Sequence, residues 1–173
     1  MVDKVLSDNP SIKWIHSFSA GVDLLMTPEI RSKSSSVVLT NAKGAFSESL
    51  GEFVAFAMLW FCKRGKKWLD DKTSKKWDPG FLSMLSGMTL GIVGYGDIGS
   101  ECARVAKNGF NMKVIAVKRD PSKCTEKQKS FADEILPSDE IGMQKLLSVS
   151  DFVVNVMPYT PETHGFFDLQ KFS

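Results

Sequence analysis

The sequence predicts an α/β protein built on a doubly wound parallel sheet, and three observations lead there. From Met88 onward, short apolar runs with strand character alternate with amphipathic helical stretches. The strand runs are apolar nearly throughout, as strands covered on both faces must be. A glycine-rich turn, Gly94-Tyr95-Gly96-Asp97-Ile98-Gly99, joins the first of these strands to the first helix.

Taken in order, Ser11 to Phe18 reads as a short strand, followed by the small-residue loop Ser19-Ala20-Gly21-Val22-Asp23. Ser36 to Thr40 is expected to form a second strand ending at Asn41. Phe46 to Arg64 reads as a long apolar helix. Glu48 and Glu52 stand in its first turns and Lys63 and Arg64 in its last, which suits the helix dipole, and Gly65 is the expected stop. Gly65 to Gly80 changes character: Trp68 and Trp77 sit among lysines and aspartates. A solvated linker or short helix is favoured there over nucleic-acid binding, because Asp70, Asp71 and Asp78 offset the lysines. The two tryptophans are expected to pack on the chain's own core or on a second subunit.

The alternating region then gives strand Thr89–Val93, helix Asp97–Lys107, strand Met112–Lys118, a weak strand Ala132–Leu136, helix Glu140–Leu147 and strand Asp151–Val156. Ile98, Cys102, Val105 and Ala106 fall on one face of the first helix, the stripe that faces a sheet. There is no internal repeat and no low-complexity tract.

Composition narrows the function classes. The chain has 173 residues, 43% of them apolar and 24% charged, a globular balance rather than a disordered or fibrous one. A net charge of +2 gives no reason to invoke nucleic acid or a membrane surface. The longest apolar run, Phe53 to Cys62, is about half of a membrane-spanning helix. The N-terminus lacks a basic-then-apolar signal pattern, so a cytoplasmic location is the default expectation. Cys62, Cys102 and Cys124 are far apart, show no metal-ligand spacing, and read as reduced thiols.

The glycine turn carries the chemistry. Its place between an apolar strand and an amphipathic helix is what a dinucleotide-binding βαβ unit requires. Gly94 permits the tight turn, Gly96 lets the backbone approach a pyrophosphate, and Gly99 lets the helix lie close on the strand. The amides of Asp97 and Ile98, at the helix start, are expected to face the phosphates. The sheet is therefore expected to be of Rossmann type. Its second strand ends in Lys118 and Arg119, where an NAD site usually carries an acid. Two cations pair with a 2′-phosphate, so NADP(H) is expected over NAD(H). Asp120 leaves the alternative open, since a shift of one residue would bring it toward the ribose.

These residues resemble the D-isomer-specific 2-hydroxyacid dehydrogenases over nearly the whole chain. Trp14 through Asp23 looks like that family's substrate loop. Thr40-Asn41-Ala42-Lys43-Gly44 and the helix from Glu48 look like its crossover. Leu85 through Gly99 is the most specific stretch, and Ser150-Asp151 with Met157-Pro158-Tyr159-Thr160-Pro161-Glu162-Thr163 looks like the segment after the fourth strand.

The resemblance implies hydride transfer between NAD(P)H and a small 2-keto acid, with glyoxylate and hydroxypyruvate the nearest in kind. By position, Ala20, Gly21 and Val22 would hold the substrate carboxylate through their backbone amides. Met157, Pro158 and Thr163 would line the adenosine side of the cofactor. Residues 1–45 would be the end of a flavodoxin-like substrate-domain segment. Residues 46–87 would be a crossover helix and homodimer arm, and 88–173 the first half of the NAD(P)-binding domain, an incomplete sheet with DFVVNV as an open apolar edge.

The family's catalytic Arg, Glu and His lie beyond the segment matched by Met157 to Thr163. Neither His16 nor His164 matches that His, so no catalytic residue is assigned and no turnover by this chain alone is expected. Two alternatives stand beside the enzyme reading. One is a non-catalytic NAD(P)-binding interaction module of corepressor type. The other is a gene fragment without a function of its own.

Overall fold

The computed structural model describes residues 2–32 and 36–168. The chain divides into two compact units, residues 1–46 with 158–173, and residues 47–157.

In the first unit, helix α1 (Val2–Asp8) precedes strand β1 (Trp14–Ser17), short helix α2 (Pro28–Ser32) and strand β2 (Val38–Asn41). β1 and β2 pair in parallel, from Trp14 opposite Val38 to Ser17 opposite Asn41. Leu6, Ile30 and Val37 are buried, with Ile12, Ile15, Met26 and Leu39 packed against them. Neither short helix announces itself by periodicity; each holds a single buried residue, Leu6 or Ile30, so its place is set by packing and not by an amphipathic stripe.

The second unit opens with α3 (Ser47–Cys62) and α4 (Gly65–Ser74). The helix break between them differs from expectation. Gly65 begins α4; the chain turns at Arg64, which takes the left-handed conformation at φ 55°. Gly65 is needed for another reason: a β-carbon there would stand 2.3 Å from the Trp60 ring, so only glycine lets α4 fold back on α3. Of the charge run from Gly65 to Gly80, expected as a linker or short helix, residues 65–74 are helical, with Lys66 paired to Asp70, and Lys67 to Asp71 and Asp78. Bonding to Asp71 and Asp78 holds the Lys67 ammonium above its ordinary value. Trp68 donates its indole N–H to the Lys63 carbonyl at 2.6 Å, whereas Trp77 is 85% exposed and does not join the core.

The sheet follows as β3 (Thr89–Val93), β4 (Lys113–Lys118), β5 (Glu134–Pro137) and β6 (Phe152–Asn155). Its order is β5-β4-β3-β6, with every pairing parallel. Leu90, Ile92 and Val93 in the centre are fully buried. Burial of such side chains stabilises the fold by about 1.5–3 kcal/mol each.

Helices α5 (Asp97–Arg104) and α7 (Glu140–Val149) cover opposite faces. A β-carbon on Gly91 would meet Leu146 and Ser150 at α7, while the neighbouring Ile92 reaches Gly99 of α5. Successive strand residues point to opposite faces, so the sheet is doubly wound. The expected helix Asp97–Lys107 is α-helical to Arg104 and then relaxes into a π turn, Val105–Gly109.

Between β4 and β5 stand a 3₁₀ turn (Pro121–Lys123) and α6 (Glu126–Phe131). β6 lies at the sheet edge with Val153 40% exposed. Among the described residues no helix is long and apolar enough to cross a membrane.

Candidate functional site

The strand order places a switch point at β3. From it the chain moves outward through β4 to β5, then returns to β3's other side as β6. A crevice outside the carboxyl ends of two such strands is where open α/β sheets bind ligands. The glycine turn leaves β3 at that point.

Gly94 has φ 99°, a left-handed conformation that L side chains rarely adopt. The chain leaving β6 also presses on it. Val156 donates its N–H to the Val93 carbonyl at 2.9 Å, and a β-carbon on Gly94 would sit 2.9 Å from the Met157 nitrogen. Gly99 is a close-approach position, where a β-carbon would lie 2.4 Å from the Gly94 carbonyl oxygen. Gly96 is the opposite case. It is exposed, caps α5 in extended conformation, and nothing lies within 4 Å of where its β-carbon would be. Two glycines draw helix and strand together, and the third leaves room over the start of α5. That arrangement fits a pyrophosphate held by N-terminal amides.

The neighbouring strand end carries Lys118 and Arg119. Gly94 donates its N–H to the Val117 carbonyl at 3.2 Å, so these cations emerge beside the turn. Lys118 is half-buried opposite Pro137 of β5, and Arg119 is exposed. Asp120 is already engaged: its carboxylate accepts from the Ser122 N–H and hydroxyl and pairs with Lys123 at 3.2 Å. The Ser122 hydroxyl and the Lys123 ammonium hold it below its ordinary carboxylate value. It serves as N-cap of the 3₁₀ turn, with Pro121 at the first position.

Met157 closes the switch point beside Gly94, its N–H donating to the Asn155 side chain at 3.1 Å. Pro158 and Thr163 belong to the other unit, where the Thr163 hydroxyl donates to the Pro158 carbonyl at 2.7 Å and closes the loop. Ala20, Gly21 and Val22 lie in that unit too. The Ala20 carbonyl accepts from the Asn41 side chain at 2.6 Å, and the Val22 carbonyl accepts from Leu25 and Met26. Among the described residues the amides of Ala20, Gly21 and Val22 donate to no backbone carbonyl.

Near the turn, the contact made by Tyr95 and helix α6 are not among the sequence expectations. Tyr95, in the middle of the turn, is 1% exposed and its hydroxyl donates to the Gln128 carbonyl at 2.8 Å. Its signal is an aromatic residue between two glycines. Helix α6 was missed although Thr125-Glu126-Lys127-Gln128 spells a capping box, with both reciprocal bonds formed. The three cysteines are buried, and burial pushes the Cys102 thiol up to about 11, so it stays protonated at neutral pH. A cavity of about 510 Å³ lined by Leu59, Lys63, Leu85 and Phe110 lies where β3 and β4 begin, at the far end of the strands from the turn.

A parallel sheet with a glycine turn at its switch point defines a dinucleotide-binding α/β protein. The chain belongs to the D-isomer specific 2-hydroxyacid dehydrogenases, whose NAD binding domain matches residues 55–173. The glyoxylate reductase of Thermococcus litoralis is 33% identical, aligned over 94% of this chain and 49% of its own. Among solved structures, a D-isomer specific 2-hydroxyacid dehydrogenase family protein from Aeromonas salmonicida superposes with TM-score 0.80 at 29% identity, over 94% of this chain and 49% of that one. The D-lactate dehydrogenase of Aquifex aeolicus, complexed with NAD and lactic acid, superposes with TM-score 0.79 at 27% identity, over 97% of this chain and 48% of that one. The chain thus spans about half the length of the relatives it matches.

Proposed function

We propose that these residues are the adenosine–pyrophosphate half of an NAD(P)-dependent D-2-hydroxyacid dehydrogenase acting on a 2-keto acid of glyoxylate or hydroxypyruvate size. The observation that carries this reading is the open space over Gly96 at the switch point. The family and the name of the Thermococcus relative support the chemistry and the substrate class. The nicotinamide supplies or takes the hydride. In this reading the amides of Asp97 and Ile98 hold the pyrophosphate, Met157, Pro158 and Thr163 border the adenosine, and the amides of Ala20, Gly21 and Val22 hold a carboxylate. No residue of this chain is assigned proton transfer.

The cofactor reading favours NADP(H). Lys118 and Arg119 are available at the strand end, and Asp120, the residue that would favour NAD(H), is committed to its cap. Titration of the full chain should give a lower Kd for NADPH than for NADH. Arg119→Met should raise the NADPH Kd about tenfold, the worth of one charge-assisted hydrogen bond, and leave NADH nearly unchanged. Tighter NADH binding overturns the preference; no binding of either overturns the dinucleotide reading.

We also read residues 46–87 as a homodimer arm. Phe53, Phe56, Trp60 and Phe61 are exposed, at 64, 58, 36 and 72%, along one side of α3. Trp77 and Phe81 add 85 and 98% exposed aromatic surface. Apolar area on this scale marks an interface. Sedimentation should report a dimer that Phe53→Asp with Phe61→Asp converts to monomer. A monomer before substitution, or a dimer after it, removes this interface.

A further inference from the structure

We propose that Tyr95 is a positioning residue that couples the glycine turn to the Lys118–Arg119 pair, and so sets how well the site tells NADPH from NADH. This rests on the NADPH reading above. A side chain in the middle of a ligand-facing turn is normally presented to ligand or solvent, yet Tyr95 points inward and is 1% exposed. Its ring joins the core that holds Cys102, Ala103 and Cys124. A phenylalanine would fill the same space. What the tyrosine adds is a hydroxyl that donates to the Gln128 carbonyl, 33 residues away, at 2.8 Å. Burial pushes the phenol above its ordinary value, so it is a donor at every physiological pH.

The acceptor is well placed for this. Helix α6 has six residues, and Gln128 is among its last four, whose carbonyls a helix leaves without an internal partner. The chain from Arg119 to Gln128 is a strut with few free joints. Asp120 caps the 3₁₀ turn, Cys124 is buried, and Thr125 and Gln128 bond reciprocally across the start of α6. One end of the strut is held by the β4 ladder and the other by Tyr95, which sits between Gly94 and Gly96. A shift of the strut at Gln128 is therefore transmitted to Arg119, while the turn itself stays in place.

The test is titration of the full chain with NADPH and with NADH, for Tyr95→Phe and for Thr125→Ala. Tyr95→Phe is expected to raise the NADPH Kd about fivefold and the NADH Kd by less than about twofold, as the loss of one buried hydrogen bond predicts. In a Lys118→Met, Arg119→Met background the same substitution should no longer move the NADPH Kd. Thr125→Ala loosens the strut from its exposed side, should act in the same direction, and serves alone if Tyr95→Phe does not fold. Equal weakening of both cofactors, no change in either, or an effect that persists in the double-methionine background overturns the proposal. If the unsubstituted chain does not prefer NADPH, the cofactor reading has failed by itself. Amide exchange then decides the coupling: faster exchange over residues 119–128 in Tyr95→Phe upholds the strut, and unchanged exchange removes it.

Discussion

Gly96→Ala is expected to weaken NADPH and NADH binding alike by roughly tenfold or more while leaving the fold nearly untouched. The backbone there has φ −102°, outside the left-handed region that favours glycine. No atom lies within 4 Å of the added methyl, so nothing in the chain has to move. The stability cost is that of a poorer N-cap, about 0.5 kcal/mol, or a shift of a few degrees in Tm. The ligand is affected differently. A phosphate oxygen must come within about 3 Å of the amides at the start of α5 to be hydrogen-bonded, and the methyl occupies that approach. Cofactor titration beside a thermal melt separates the two effects. Undiminished binding by a well-folded Gly96→Ala would mean that the turn does not face the phosphates.

Gly99→Ala is expected to lose both stability and binding. Its β-carbon would stand 2.4 Å from the Gly94 carbonyl oxygen and 3.1 Å from the Ile92 side chain. That oxygen cannot easily retreat, because it accepts the Gly96 N–H at 3.1 Å inside the turn. Helix α5 must therefore move off β3 by about 1 Å to reach ordinary contact distance, an overpacking cost of about 1–3 kcal/mol. The displaced helix carries the amides of Asp97 and Ile98 with it, so the cofactor loss should be at least as large as for Gly96→Ala. Urea unfolding and titration read the two quantities. A Gly99→Ala chain with unchanged midpoint would show that α5 tolerates a side chain against β3.

The motif marks all three glycine positions in advance, because strand–turn–helix context and glycine spacing are local properties; that Gly94 has positive φ and that Gly99 is pressed against the strand end agree with it. The strands of the second unit were legible for the same reason: Thr89–Val93 has the predicted ends, and the others differ from prediction by one or two residues at an end. Helix α6 was legible in principle from its capping box and went unread because its six residues carry no apolar stripe. The end of α3 was misread because a left-handed Arg64 carries no composition signal, and Gly65 owes its place to Trp60, a contact that exists only once α4 folds back.

For the site, the sequence supplied the residue types and left their commitments open. Asp120 competes with Lys118 and Arg119 in the sequence alone; in the fold its carboxylate accepts from Ser122 and pairs with Lys123. Tyr95 has no assigned role in the sequence pattern; in the fold its hydroxyl donates to the Gln128 carbonyl.

The glycine turn was determined by sequence alone, together with the alternation of strand and helix around it and the family to which both belong. Those features depend on residues near one another in the chain, whose backbone freedom and periodicity can be read in order. Tertiary structure alone decided which glycine is open and which is filled, that Asp120 is taken by Ser122 and Lys123, and that Tyr95 bonds to Gln128. The crowding of Gly94 by Met157 and the bond from Tyr95 to Gln128 depend on atoms brought together from residues far apart in the sequence, and no local pattern records that meeting.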